Sequence, residues 1–382
     1  AKSFFPPQSG TQQLIESFSV FGIAFFVRPL GGLLLGMIGD KFGRKKALEI
    51  SIFLMALPTF LLGCLPTYSQ VGNLSFVLLI LVRVIQGLSV GGQLMASLAY
   101  TVEGKPHSKW GLYGGYVFGT TNIGTFLGSL VSAVMRELMT EEQILGWGWR
   151  IPFLSGILVS GIAIYFRYST EEETWYEPSE NPLRLALRKD NRKALCSAIM
   201  VPCLNAAGFH VTFVWMPIFM SSIIQPPVPH AFWVSTAALF VDIFNYPLCG
   251  YLSDKVGRLK LMTFGAITVA IGAPIMTSLI SIGDPLVSFS ALLSLAFSIA
   301  CYSAPTMAWL VETFPPEVRV TSTAIGYSIA QGVMGGVSPA LSTFMVQRTG
   351  PSSPGFLIST MAIVGLFGLW RVAPEPYMKR PS

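Results

Sequence analysis

Apolar runs near twenty residues long alternate with short charged loops along almost the whole chain, at roughly 15 to 39, 46 to 66, 74 to 100, 110 to 135 and 149 to 167. A polar stretch covers 168 to 192, and six more runs follow at roughly 194 to 221, 231 to 251, 261 to 281, 286 to 310, 321 to 346 and 354 to 373. About twenty apolar residues in an α-helix cross a ~30 Å hydrocarbon layer. The pattern therefore predicts an all-α polytopic membrane protein with 11 spans, five before the polar stretch and six after it.

The polar breaks repeat. GDKFGRKK (Gly39 to Lys46) returns as SDKVGRLK (Ser253 to Lys260), and Ala24 to Lys46 lies over Ala238 to Lys260 at one constant offset without a gap. The matched pairs include Phe26/Phe240, Gly36/Gly250, Asp40/Asp254, Gly43/Gly257, Arg44/Arg258 and Lys46/Lys260. Internal repeats of this kind build many secondary transporters, with the solute site between the halves near the bilayer midplane. The expected organisation is an N-terminal helical bundle over 1–167, a cytoplasmic inter-domain loop over 168–192 and a C-terminal six-helix bundle over 193–382. The offset sets the span at 194 to 221 against positions before residue 8, where only AKSFFPP is present. This predicts two six-helix pseudo-repeats with the first helix missing from this sequence.

Composition agrees: 52% of the 382 residues are hydrophobic and only 12% charged, about half the usual charge of a soluble protein. The net charge of +6 could suggest nucleic acid. Lys and Arg instead cluster in alternate loops, around Lys41 to Lys46, Lys105 and Lys109, Arg184 to Lys193, Lys255 to Lys260, Arg319, and Lys379 with Arg380. The opposite loops hold Arg136, Arg150 and Arg348. By the positive-inside rule the first set, and the C-terminus, are expected in the cytoplasm, in a plasma or inner membrane.

Other chemistries find little support. The five cysteines lie within or beside apolar runs without CxxC spacing, so no metal site is expected. No GxxxxGK[ST] phosphate loop and no HExxH occur, and no cofactor is expected. GLSVG (Gly87 to Gly91) fits the G-x-S-x-G expression but sits inside an apolar helix rather than on a strand-to-helix turn,. The chain is not expected to be an enzyme.

GMIGDKFGRKKAL (Gly36 to Leu48) resembles the loop signature of the major facilitator superfamily, and GYLSDKVGRLKLM (Gly250 to Met262) its second-half counterpart. FFVRPLGG, RVIQGLSVGGQ, GWRIPF, ETFPPEVR and GYSIAQGVMGG resemble the metabolite:proton symporter family within it, which includes proline/betaine, 2-oxoglutarate, shikimate and citrate carriers. The resemblance implies the major facilitator fold and a secondary transporter. Two positions depart from the family pattern: Gln93 stands where related symporters tend to have glutamate, and Trp110 closes a phrase that normally ends in arginine.

Charged and polar residues inside spans are the informative ones, because a charge at mid-membrane costs about 2.5 to 3.5 kcal/mol even on the lenient scale. Arg28 precedes Asp40 by twelve residues, roughly 18 Å at ~1.5 Å per residue. Asp242 holds the equivalent position in the second half. Arg83, with Gln86 to orient it, is expected to bind a carboxylate or tune a neighbour, and the resemblance implies proton coupling or charge recognition there. Gln93 and His210 complete the substrate or coupling candidates, with Glu16 a further proton candidate. The alternative for each is a packing residue satisfied by its own neighbours.

A second set is expected to form a conformational latch: Gly36, Asp40, Gly43, Arg44, Glu103, Asp254, Gly257, Arg258, Glu312 and Arg319. Asp40 and Asp254 can accept from a neighbouring helix N-terminus or from Arg44 and Arg258, and Glu312 is expected to meet Arg319 or Lys109. The bland alternative is a set of turn and topology residues. The resulting expectation is a monomeric secondary active transporter in the lipid bilayer, carrying a small polar organic acid or zwitterion by alternating access with protons. An uncoupled facilitator and a transporter-like sensor are the alternatives.

Overall fold

The computed structural model describes Phe4 and residues 10–158, 161, 165 and 182–373, with the side chains of residues 10–17, Arg44 and Pro182 outside that description. Ten helices among the described residues are long and apolar enough to cross a membrane. They are α1 (Gly10–Phe42), α2 (Arg44–Cys64), α3 (Leu74–Glu103) and α4 (Trp110–Leu138). The second group is α5 (Lys189–Ile223), α6 (Ala231–Val256), α7 (Arg258–Ile280), α8 (Pro285–Thr313), α9 (Pro316–Thr349) and α10 (Ser353–Val372). These coincide with ten of the expected spans. The eleventh, at 149 to 167, is described over 149–158 and at 161 and 165 only; the AKSFFPP segment apart from Phe4, most of the 168–192 loop, and Lys379 and Arg380 lie outside the described residues.

Local chemistry places the breaks. Gly43 (φ 95°) separates α1 from α2, and Gly257 (φ 100°) separates α6 from α7. The left-handed half of backbone space costs a residue with a Cβ but not glycine, so the repeated phrase keeps glycine where the chain must reverse. The start of α8 is capped by Asp284, which accepts from Leu286 N and Val287 N,. The end of α2 is met by Arg150, whose Nη1 donates to Gly63 O at 3.0 Å and Leu65 O at 2.6 Å, a cation on orphan helix carbonyls.

Four stretches relax into π-helical geometry: His210–Trp215 and Phe219–Ile223 in α5, Gln331–Gly335 in α9 and Gly368–Val372 in α10. Such segments leave backbone groups loosely matched and occur often at functional sites.

Contacts group the chain into two compact units. The first takes Ala1–Ser97, Val134–Leu187 and Pro316–Ala340; the second takes Leu98–Ala133, Arg188–Pro315 and Leu341–Ser382. Grouping by contact thus crosses the sequence repeat, since most of α4 falls with the second-half helices and the first part of α9 with the first-half helices.

Within the first unit α1 and α9 meet at small residues. A Cβ on Gly32 would lie 2.9 Å from Ala324 O, and one on Gly36 2.9 Å from Thr321 Cα. Gly87 and Gly91 of α3 also press against α1, at the backbone of Ala24 and Arg28, as small residues do where membrane helices approach closely. The second unit repeats the design with α4 and α6. Gly111 and Gly250 touch backbone to backbone, and a Cβ on Gly115 would lie 2.5 Å from Tyr246 O.

Candidate functional site

Each small-residue seam ends on a carboxylate. In the first unit Asp40 Oδ2 accepts from Thr321 N at 2.7 Å and Oδ1 from Val320 N at 3.3 Å, at the start of the helical run Arg319–Ala330. In the second unit Asp254 Oδ1 accepts from Gly111 N at 2.9 Å and Oδ2 from Leu112 N at 2.8 Å, at the start of α4. The first N–H groups of a helix have no partner inside it and carry the positive end of its dipole. Each aspartate therefore caps a helix other than its own, and the glycine four residues earlier, Gly36 or Gly250, lets the two backbones come close enough.

The second-unit carboxylate sits in a buried charge network. Arg258 Nη1 donates to Asp254 Oδ1 at 2.8 Å and its Nε to Glu312 Oε1 at 2.6 Å. His107 Nε2 lies 3.3 Å from the same Glu312 oxygen. Glu312 thus meets Arg258 and His107, two partners that the sequence did not single out for it. Arg319 is buried and Glu103 half-buried, while the side chain of Arg44 lies outside the described residues. His107 was not among the sequence candidates, because it stands in a loop phrase, EGKPHSKW, with nothing in its spacing to point at Glu312.

Mid-span, Asp242 and Asn122 are both fully buried. Asn122 Nδ2 donates to Asp242 Oδ2 at 3.0 Å, and Asn245 Nδ2, one turn along α6, donates to Oδ1 at 3.2 Å. Two amides thus solvate this carboxylate. The Asn122 side-chain oxygen has no hydrogen-bond partner among the described residues.

In the first unit the Arg28 guanidinium packs on the Phe25 ring, 3.5 Å from its centroid, a cation–π contact. Its Nε is buried without a hydrogen-bond partner among the described residues. It also interacts electrostatically with Tyr327, whose hydroxyl accepts from Gln331 Nε2 at 2.8 Å. Aligning the phrases that begin at Glu103 and Glu312 pairs Asn122 with Gln331. The repeat therefore pairs the carboxamide that bonds Asp242 with one that bonds Tyr327, the tyrosine that interacts with Arg28.

Arg83 Nη1 donates to Gln86 Oε1 at 3.3 Å, and Gln86 Nε2 to Thr59 Oγ1 at 3.1 Å; the Arg83 Nε is likewise buried and unpartnered among the described residues. Gln93 is half-buried on α3. His210 opens the first π-helical stretch of α5 with its Nδ1 2.7 Å from Ala206 O. A bond to a carbonyl requires the proton on Nδ1, which leaves Nε2 as the basic nitrogen. The side chain of Glu16 lies outside the described residues. No group of three or more His, Cys, Asp or Glu able to hold a metal occurs among the described residues.

A helical bundle crossing the bilayer many times, built on an internal repeat with charges held inside it, defines a membrane transporter of the major facilitator type. The family model for the Major Facilitator Superfamily matches residues 8–226 and again 199–382, and the chain belongs to that superfamily. It is 30% identical over 372 residues to the citrate-proton symporter of Klebsiella pneumoniae, covering 96% of this chain and 84% of the relative. It is 32% identical over 342 residues to the alpha-ketoglutarate permease of Escherichia coli K12, covering 88% and 78%. The proline/betaine transporter of Salmonella typhimurium is 29% identical, covering 96% and 76%. Among solved structures, the proton:xylose symporter XylE bound to 6-bromo-6-deoxy-D-glucose superposes with a TM-score of 0.78 over 98% of this chain and 90% of that one, at 17% identity. That likeness speaks for the fold. The relatives are the carrier types that the motifs resembled, and the protein is a multi-pass integral membrane transporter.

Proposed function

We propose that the chain is a secondary active transporter that carries a small carboxylate-bearing metabolite, an organic acid or zwitterion, together with protons by alternating access. The observation that carries the reading is Arg28, a guanidinium inside a span that rests on an aromatic ring and keeps a buried Nε without a hydrogen-bond partner among the described residues. A bare cation at that depth is costly, and a solute carboxylate would repay it through a bidentate pair. The solutes named for the relatives, citrate, ketoglutarate and proline or betaine, all bear a carboxylate.

Asp242 is the proton carrier in this reading. It is a fully buried acid whose carboxylate accepts from amides, so charge and neutrality can both be accommodated. Arg83, Gln86 and Gln93 of the first unit, and His210 of the second, are the further solute or coupling residues. The helix-capping aspartates, with Gly36, Gly43, Arg44, Glu103, Gly257, Arg258, Glu312 and Arg319, form a latch on the cytoplasmic side. The protein works as a monomer in a plasma or inner membrane, the two pseudo-repeats over 1–167 and 193–382 moving about the solute, with the C-terminus in the cytoplasm.

An uncoupled facilitator is the second reading, favoured by Gln93, an amide where the related symporters tend to have an acid. One experiment separates the two. De-energised cells expressing the protein are given proline, betaine, 2-oxoglutarate, citrate and shikimate in turn while external pH is recorded alongside labelled uptake. Alkalinisation with one solute, abolished in Asp242→Asn, supports proton symport. Uptake with no pH change supports the facilitator, and neither signal removes the carboxylate reading for these solutes.

A further inference from the structure

Asn122 has an arrangement that simple packing does not require. It is fully buried in α4, it donates to Asp242 across the α4–α6 seam, and its own oxygen is left without a partner among the described residues. A buried acceptor left unmet forfeits its hydration without a replacement bond. The seam gives the side chain little room to withdraw: a Cβ on Gly119, one turn earlier, would lie 3.1 Å from Ile243 O, and Ser129 and Thr236 hydrogen-bond at 2.7 Å further along.

We propose that Asn122 is the positioning residue for the proton on Asp242, a carboxamide that reverses its hydrogen bond when the acid changes state. This rests on the reading of Asp242 as the proton carrier. When Asp242 is ionised, Asn122 Nδ2–H donates to Oδ2, the arrangement seen here. When a proton from the aqueous phase forms the O–H bond on Oδ2, a half-turn of the amide presents Oδ1, which accepts from that hydroxyl. Loss of the proton to the opposite aqueous phase restores the first arrangement. Carboxamide is suited to this because it carries both a donor and an acceptor. The α4–α6 seam thereby stays bonded with the proton on or off, and the presently unmatched oxygen is the one used in the protonated state.

Cys249 lies two turns along α6 and interacts electrostatically with Asp242, and Cys301 of α8 meets Cys249 at 3.6 Å. Tyr246 lies on α6 itself and stacks on Phe118 of α4. Asp254 lies twelve residues along α6 from Asp242, about three turns, and meets Arg258 of α7, which meets Glu312 of α8. Among the described residues of this unit, the groups that hydrogen-bond the Asp242 carboxylate are the two amides.

The test needs no identified solute. The full chain in lipid nanodiscs is titrated with acid while infrared difference spectra follow the carbonyl band of buried protonated carboxyl groups. The expected result is a titrating band that is lost in Asp242→Asn and whose midpoint is displaced by roughly half to one pH unit in Asn122→Leu, because a bond to an ionised group outweighs one to a neutral group by about 1 kcal/mol. Asn122→Ser keeps a hydroxyl that both donates and accepts and is expected to shift less; Asn122→Ala removes the carboxamide without added bulk, is expected to shift as the leucine variant does, and serves as the test if that variant fails to fold. A band lost in Asp242→Asn but unmoved in the Asn122 variants overturns the role of Asn122 and leaves Asp242 as the carrier. A band absent in the wild type, or retained in Asp242→Asn, overturns both.

Discussion

Asp40 caps a helix through a residue 281 positions later in sequence: its Oδ2 accepts from Thr321 N at 2.7 Å. Asp254 does the same for α4 through Gly111 and Leu112. The same side chain at the same place in both copies of one phrase holds the same kind of target. The capping is charge-assisted, so Asp40→Asn and Asp254→Asn, which keep an acceptor but lose the charge, are each expected to cost about 1 kcal/mol, and the alanine variants about 2 kcal/mol. Thermal unfolding of detergent-purified protein measures the order, and alanine variants as stable as the wild type would exclude the contact.

Arg258 and Glu312 are both nearly buried, with side-chain exposures of 12% and 8%. Removing Arg258 strands Glu312 and takes the cation from Asp254, at a cost of about 3–5 kcal/mol,, whereas Glu312→Gln leaves Arg258 paired with Asp254. Arg258→Met is therefore expected to be more damaging than Glu312→Gln. A double-mutant cycle on unfolding decides this, and additive losses would show that the two act independently.

Gly250 faces the Gly111 backbone, whereas a Cβ on Gly124 would meet nothing within 4 Å. Gly250→Ala is expected to lose roughly 1–3 kcal/mol by overpacking the seam, while Gly124→Ala should be neutral or stabilise by about 0.5 kcal/mol through helix propensity. Equal yields of folded protein from the two variants on size-exclusion chromatography would contradict the seam.

Arg28→Lys retains the charge but not the planar fork, and the shorter-range point charge fits a carboxylate less specifically. Under the proposed function its solute half-saturation should rise about tenfold or more, corresponding to ~1.4 kcal/mol, with Arg28→Gln worse. Uptake kinetics with the solute identified by the pH screen provide the measurement. An unchanged half-saturation in Arg28→Lys would mean that Arg28 holds no solute carboxylate.

Much of the architecture was legible before any coordinates. The twenty-residue apolar rhythm marks the helices, and the repeated glycine of the GR phrase marks the two reversals at Gly43 and Gly257. Asp40 and Asp254 were readable as acceptors for some helix N-terminus. Which N-terminus was not, because helices that are apolar on every side carry no stripe to say which face meets which neighbour. The link from Glu312 to His107 and the one from Asp242 to Asn122 join residues whose types are ordinary for loops and helix interiors, and only packing brings them together. The π-helical stretches escaped for a similar reason: a single extra residue in a turn leaves the apolar pattern unchanged.

The helix-capping aspartates have a mechanical consequence. Each holds two successive N–H groups at distances between 2.7 and 3.3 Å, and such bonds weaken steeply once stretched or tilted. A slide of about 1 Å along the glycine track would release both. Under the proposed function the carboxylate then acts as a ball detent, each pair of helices resting in a click-stop for as long as its two bonds are made.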